Sequence, residues 1–337
     1  MKPIALRCWR VWLALALAMT SSAAATEEQD VSPAIVKSRT ISNFELGSAE
    51  TRFGPLEFIG GLEMTSTSSD FGGLSAFHYL DSGRRFLGVT DTGFWYAGSM
   101  LRDPQGRPAS VGDFRLAPIL DEEGLAVDGK RDSDAEGMNV SGHTVTVSFE
   151  RNHRIAEYAL DPEQFASRPR NLPLPIARNE LRTNRGIETI AHATGGSPLR
   201  GARVAVTEMS LNDAGDIFAA VLEGPRAGVF FVRRKDGFDI SDGDFLPDGD
   251  LLLLERKYSI VSGVSIRLRR IPGETIEPGV MVEGDMIMDA DLRSQIDNME
   301  GLDVWQAADG STRISMVSDD NHSIVQRNLY LEFRLAE

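Results

Sequence analysis

One pattern recurs along this chain and leaves few folds open to it: a glycine-containing turn, a strand, a short hairpin, and a second apolar strand that stops at an acidic residue. The first copy contains Gly72-Gly73-Leu74-Ser75 and Leu87-Gly88-Val89-Thr90-Asp91; the second contains Asp134-Ala135-Glu136-Gly137-Met138 and Val147-Ser148-Phe149-Glu150-Arg151. The third joins Asn184-Arg185-Gly186-Ile187-Glu188 to Val204-Ala205-Val206-Thr207-Glu208. The fourth keeps mainly its second half, Leu251-Leu252-Leu253-Leu254-Glu255-Arg256, and the fifth joins Asn298-Met299-Glu300-Gly301-Leu302 to Met316-Val317-Ser318-Asp319-Asp320-Asn321. The closing acids at 91, 150, 208, 255 and 319 are 59, 58, 47 and 64 residues apart. A four-stranded propeller blade takes roughly 40–50 residues plus loops, and radial repetition lets so much antiparallel sheet avoid exposed edges. The expected fold is all-β: a β-propeller of five or six four-stranded blades, with a strand from one terminus completing the blade built from the other. A sixth, degenerate blade would fall in Phe94 to Val127. The competing arrangement is a large sandwich or barrel whose strands merely end in turn-forming acids.

Local signals agree with β structure. Arg85 to Thr90, His143 to Phe149, Arg203 to Thr207, Asp250 to Leu254 and Arg313 to Val317 are short, rich in Val, Ile, Leu, Thr and Phe, and bounded by Gly, Asp, Asn or Pro. Helical periodicity after the N-terminus is confined to Pro162 to Ala166 and Ala290 to Ile296. Thr26 to Pro33 reads as a disordered lead, and Arg102 to Ser110, with two prolines and a glycine, as a surface loop.

At the N-terminus, Lys2, Arg7 and Arg10 precede an apolar run from Val11 to Met19 that is too short to span a bilayer, and Ala23-Ala24-Ala25 offers small residues for cleavage. Residues 1–25 are therefore expected to be a signal peptide cut near Ala25, with a periplasmic or secreted product and no membrane anchor after cleavage. Residues 26–50 would form a lead and possible closing strand, and 51–337 the propeller. Cys8 is the only cysteine, so the exported chain can form no disulfide and offer no thiolate. The formal charge of -15 argues against nucleic acid, whose phosphates need Lys and Arg, and permits cation binding.

Blades place equivalent positions around one axis. Asp91, Glu150, Glu208, Glu255 and Asp319 would then form a ring at one mouth of the central channel, with Glu136, Glu188 and Glu300 as a further layer. Carboxylates held so close repel and rise in pKa unless a cation neutralises them. Calcium is the expected cofactor, because it takes six to eight oxygen ligands and needs no sulfur or imidazole; magnesium or manganese is the alternative. The histidines at 78, 143, 153, 192 and 322 show no HExxH or other tight ligand spacing, which disfavours zinc. No G-x-S-x-G elbow, Walker loop or G-x-G-x-x-G opening a helix is present. Hydrolysis by water at a bound cation needs fewer special residues.

These considerations assign cation ligation to Asp91, Glu136, Glu150, Glu208 and Glu255. Glu188, Glu300, Asp319 and Asp320 are the candidate catalytic carboxylates. Arg151, Arg256 and Asn321 are the candidate substrate-binding groups, since a guanidinium pair can hold a phosphate or carboxylate in bidentate fashion, or else form an ion pair between blades. The expected partner is a small-molecule ester or phosphoester. The alternatives are a non-catalytic, calcium-stabilised binding module and a calcium-dependent lactonase.

With these elements in place, the chain resembles the bacterial phytase-like family, described by the "esterase-like activity of phytase", from about Phe58 to Phe333. The resemblance rests on Phe71-Gly-Gly-Leu-Ser75, Asp91-Thr-Gly93, Asp134-Ala-Glu-Gly-Met138, Ser148-Phe-Glu-Arg151 with Arg154-Ile155, Asn184-Arg-Gly-Ile-Glu188, Leu254-Glu-Arg256, Asn298-Met-Glu-Gly-Leu302 and Ser318-Asp-Asp-Asn321, in that order. It implies an exported propeller with esterase- or phosphatase-like activity.

Overall fold

The computed structural model describes residues 31–159, 161, 165 and 167–336. The expected signal peptide, with its cleavage point near Ala25, lies outside them, as does most of Pro162 to Ala166. Five antiparallel sheets form five blades of a β-propeller. Their innermost strands are Leu74–Tyr79 in blade I, Ala135–Ser141 in II, Ile187–His192 in III, Asp239–Phe245 in IV and Asn298–Gln306 in V, and each packs against the next to close a ring. The second strands are Arg85–Thr90, Thr144–Phe149, Arg203–Leu211, Leu251–Ser259 and Thr312–Asp319.

The span from Phe94 to Val127 holds no sixth blade. Phe94–Arg102 and Pro108–Pro118 are the outer strands of blade I. Ser32–Pro33, expected to belong to a disordered lead, pairs with the last of these strands. Ala290 closes a strand and is followed by turns rather than a helix, because Asp291 to Ile296 must reverse the chain into blade V. Among the described residues no helix is long and apolar enough to cross a membrane.

Blade V joins the two ends of the described chain. Its sheet runs from Asn298–Gln306 through Thr312–Asp319 and Asn328–Leu335 to Leu56–Ser66 and Val36–Ile41, so N-terminal strands complete a blade begun by the C-terminus. The closure covers a strand edge that would otherwise template aggregation.

Both faces of each blade are buried against neighbours, which is why its strands read as apolar runs rather than as alternation. Leu251 and Leu253 point into the seam between blades III and IV, while Leu252 and Leu254 point into the seam between IV and V. Five apolar clusters fill the five seams. At the axis the inner strands approach closely: a Cβ on Gly137 would collide with the backbone oxygen of Glu188, so only glycine fits there. An inner strand is also an edge, with N–H and C=O groups that need partners. Inward acids supply them: Asp242 accepts from Leu302 N at 2.7 Å, Asp244 from Val304 N at 2.9 Å, and Asp303 from Tyr79 N at 2.9 Å, each bonding across to the next blade.

Candidate functional site

Every inner strand begins at the same end of the channel, and every one is bulged there. The pairing with the second strand slips between Leu74 and Ala76, Ala135 and Met138, Ile187 and Thr189, Ile240 and Asp242, and Met299 and Gly301. Ser75, Glu136, Glu188, Ser241 and Glu300 occupy the bulge. An extra residue in one strand re-aims its side chain, and here it turns three carboxylates toward one mouth. The layer expected from Glu136, Glu188 and Glu300 is thus three of five equivalent positions.

The second strands contribute the outer ring, with one correction. Asp91 N bonds Gly73 O at 2.9 Å, Glu150 N bonds Asp134 O at 2.8 Å, Glu208 N bonds Gly186 O at 2.7 Å, and Asp319 lies opposite Asn298. In blade IV the residue in this register is Arg256, opposite Asp239, not Glu255. A slip of one residue sends a side chain to the other face of a sheet. Glu255 therefore points back into the seam between III and IV, buried with Arg267 and Arg269, both of which it pairs. It does not join the other candidate ligands. Replacing Glu255 with Gln weakens two charge-assisted bonds and is expected to cost about 2 kcal/mol of stability while leaving cation affinity at the mouth unchanged; urea unfolding and a calcium titration of the same variant check both.

The remaining candidates do meet. Asp134, Glu136 and Glu150 each offer an oxygen within 4.8 Å of the others, and so do Glu150, Glu188 and Glu208, with Glu150 shared. Positive groups surround them. Lys130 contacts Asp91 at 2.5 Å and Asp134 at 2.6 Å, Arg151 contacts Asp134 at 2.6 Å, and Arg185 contacts Glu208 at 2.9 Å. Arg256 pairs with Glu300 and Asn298 and lies 3.6 Å from Glu208. Among the described residues no lysine or arginine pairs with Glu136, Glu150 or Glu188. Glu150 accepts the N–H of Gly186.

The electrostatic result is a set of carboxyls that resist ionisation. Burial first, and then neighbouring carboxylates, push Glu136 and Glu188 well above the usual range. Burial pushes Glu150 and Glu208 up to about 7 and Asp319 up to about 8. Glu300 is raised by burial, against the pull of Arg256. The donors are all oxygen, each of the two groups of three is spaced so that it could hold a cation, and Asp91 Oδ1 is buried without a hydrogen-bond partner. These residues fit calcium.

Asp320 and Asn321 sit on the loop that follows Asp319. Asp319 Oδ1 accepts the N–H of Asn321 at 2.7 Å and Asp320 Oδ1 that of His322 at 3.1 Å. Asn321 and His322 hold left-handed φ values of 47° and 49°, an uncommon conformation for two successive side-chain-bearing residues. Asn321 lines a groove of about 1030 Å³ that runs from Glu300 and Arg256 toward Arg185, Arg234 and Arg327. Sequence reasoning assigned no role to Asp134, Lys130 or Arg185. Asp134 was detectable, since Asp134-Ala-Glu-Gly parallels Asn298-Met-Glu-Gly. Lys130 lies outside the repeated units, and Arg185, although within the third copy, has no basic counterpart in the others, so neither carries such a signal.

A third acidic group, His78 with Asp244 and Asp303, lies deeper in the channel. His78 Nδ1 is 2.8 Å from Asp303 Oδ1 and Nε2 is 2.8 Å from Met138 O, so both ring nitrogens are already engaged. It ties blades I, II and V together and has no free nitrogen for a metal.

The fold and the site define a five-bladed propeller whose axial mouth combines crowded carboxylates with arginines. The chain belongs to the phytase-like family, described as the esterase-like activity of phytase, whose model matches residues 69–322. No curated protein matches it in sequence. Among solved structures it is similar to the PQQ-bound aldose sugar dehydrogenase of Streptomyces coelicolor, at 12% identity and a TM-score of 0.45, covering 85% of this chain and 100% of that one. It is also similar to the glutaminyl cyclase of Myxococcus xanthus, at 12% identity and a TM-score of 0.42, covering 84% of this chain and 97% of that one. A third similarity is to the allergen Mala s 1 of Malassezia sympodialis, at 9% identity and a TM-score of 0.42, covering 77% and 92%.

Proposed function

We propose that this protein is an exported hydrolase that binds calcium at the propeller mouth and cleaves a small-molecule ester or phosphoester there. The observation that carries the reading is the trio Glu136, Glu150 and Glu188, mutually repelling and matched by no lysine or arginine among the described residues, Glu150 and Glu188 buried and Glu136 half-buried, with Glu150 shared between two ligand groups. Such a group either stays protonated or holds a cation. Asp134 and Glu208 complete the two ligand groups, with Asp91 beside them.

A bound calcium supplies a Lewis acid that polarises the scissile oxygen and acidifies water. The chain's own groups do the rest. Arg151, Arg185 and Arg256 face the carboxylates from the rim and hold anionic substrate oxygens by charge-assisted bonds. Asp319, which burial raises to about 8, exchanges protons near neutrality and takes the proton of the attacking water, with Glu300, also raised by burial, beside it. Export is supported by the basic residues and apolar run of positions 2 to 19, and N-terminal sequencing of the secreted protein tests it.

The decisive assay is turnover of 4-nitrophenyl phosphate and 4-nitrophenyl acetate with calcium and with chelator. Calcium-dependent turnover supports the reading; a calcium-dependent melting temperature without turnover assigns the mouth to structural stabilisation and binding. Because ligation requires ionised carboxylates, calcium affinity is expected to rise between pH 5 and 8. The part of the proton release that comes from Glu150 and Glu208, raised to about 7, should fade above pH 8. The sign for the calcium-free fold is the reverse. Raised carboxyls contribute stability below their ordinary values of 4.5 for Glu and 3.8 for Asp, and lose it as pH climbs through about 7 to 8. A calcium affinity that does not change from pH 5 to 8 excludes these ligands.

A further inference from the structure

The groove beside the mouth has a second chemistry. Its floor is charged, but its walls carry Tyr258, Val264, Leu292 and Val325. The two hairpin ends that give Tyr258 and Val325 to these walls carry the same tripeptide, Ser259-Ile260-Val261 and Ser323-Ile324-Val325. They occupy equivalent places, joining the second and third strands of blades IV and V. They are also built alike: the serine Oγ accepts the N–H of the valine at 3.2 Å in one and 3.4 Å in the other. Their apolar residues are turned outward, with Ile260 93% exposed, Val261 96%, Ile324 103% and Val325 81%. The corresponding connections of blades I to III, Thr92-Gly93, Asn152-His153 and Asn212-Asp213-Ala214-Gly215, carry no aliphatic side chain larger than alanine.

Isolated exposed apolar residues need no explanation, whereas four on two matching hairpin ends that each contribute an apolar wall residue to one groove call for a use. We propose that the groove selects amphiphilic substrates: an anionic ester or phosphoester head held by Arg256 and Arg327, with an aliphatic chain lying along Tyr258 and Val325 and between the two tips. The occupant follows from continuity, since one groove runs from Glu300 and Arg256 to the apolar wall. A membrane surface fits less well, because the loop from Asp121 to Asp128 on the same end carries Asp121, Glu122, Glu123 and Asp128 against anionic lipid. This inference rests on the reading of the mouth as an ester- or phosphoester-binding site.

The test is isothermal titration of the full mature protein, in calcium, with butyl, hexyl and decyl phosphate below their micelle concentrations. A partly buried methylene tightens binding roughly twofold, about half the factor for full burial, so decyl phosphate is expected to bind some tens of fold more tightly than butyl phosphate. In the Ile260→Ser/Ile324→Ser variant, whose changes touch only exposed side chains, butyl phosphate should bind as before and the chain-length gain should fall severalfold. Equal affinity for all three in the unmodified protein overturns this inference and leaves the anion site standing. Failure of all three to bind overturns the underlying reading and this one with it. Cosedimentation with phosphatidylcholine vesicles without any chain-length gain reassigns the tips to a membrane. Self-association that the double variant abolishes, again without that gain, reassigns them to a second copy of the chain.

Discussion

Glu150→Gln is expected to weaken calcium binding by at least about 100-fold and to remove calcium-dependent turnover with it, because Glu150 is the one carboxylate common to both ligand groups. The substitution is nearly isosteric, and its amide oxygen can still accept the Gly186 N–H that Glu150 accepts. The fold should therefore survive. In chelator at pH 8 the variant is expected to melt no lower than the parent, since it removes one ionised group from a buried, repelling set whose pKa is raised to about 7. Calorimetric calcium titration and thermal melts in chelator read the two effects separately. Parent-like calcium affinity in the variant would exclude Glu150 as a ligand, and with it the proposed bridging site.

His78→Leu should be the most damaging single change to the fold, costing about 3–5 kcal/mol, a large share of the 5–15 kcal/mol typical of a domain. Both partners of the ring are acceptors, Asp303 Oδ1 on one nitrogen and Met138 O on the other, so both nitrogens carry protons and the imidazole is cationic. Burial alone would lower its pKa, but Asp303, aided by Asp244 and Asp242, brings it up to about 9. Leucine would leave those carboxylates buried with no cation among them. Changing Asp303 to Asn in the same background should recover part of the loss, a coupling that a double-mutant cycle measures. The pH dependence has a definite sign. A raised histidine stabilises fully below its ordinary value of 6.5 and loses that contribution as pH rises through about 9. The stability gap between parent and variant should accordingly shrink between pH 6.5 and 9.5; a gap that widens on the alkaline side would mean that the ring is neutral.

Much of the architecture was legible because both sides of each blade are buried, so its strands appear as short apolar runs, and because a repeated unit shows itself at every copy. The run from Leu251 to Leu254 marks a strand with two buried faces. The recurring Glu-Gly of blades II and V marks a bulge followed by a close approach of neighbouring strands. The blade count was open between five and six because the wide spacing between copies does not reveal whether Phe94 to Pro118 extends an existing sheet or starts another.

The site was readable only in part, and Glu255 shows why. A strand ending in Glu-Arg looks the same whichever of the two faces the axis, and pairing register decides it: Arg256 holds the ring position while Glu255 neutralises Arg267 and Arg269 inside a seam. Lys130 reaches the mouth from a connecting segment outside the repeat, and Arg185 from a place in the third copy that is not basic in the others. The order of residues alone determined a radially repeated, two-face-buried β chain with acids at one end of its strands, since local periodicity and burial need no long-range information. Which acids face one another, which are matched by a cation of the chain, and which are left unmatched were decided by tertiary structure, because charge pairing depends on distances across blades that lie about 50 residues apart in the chain.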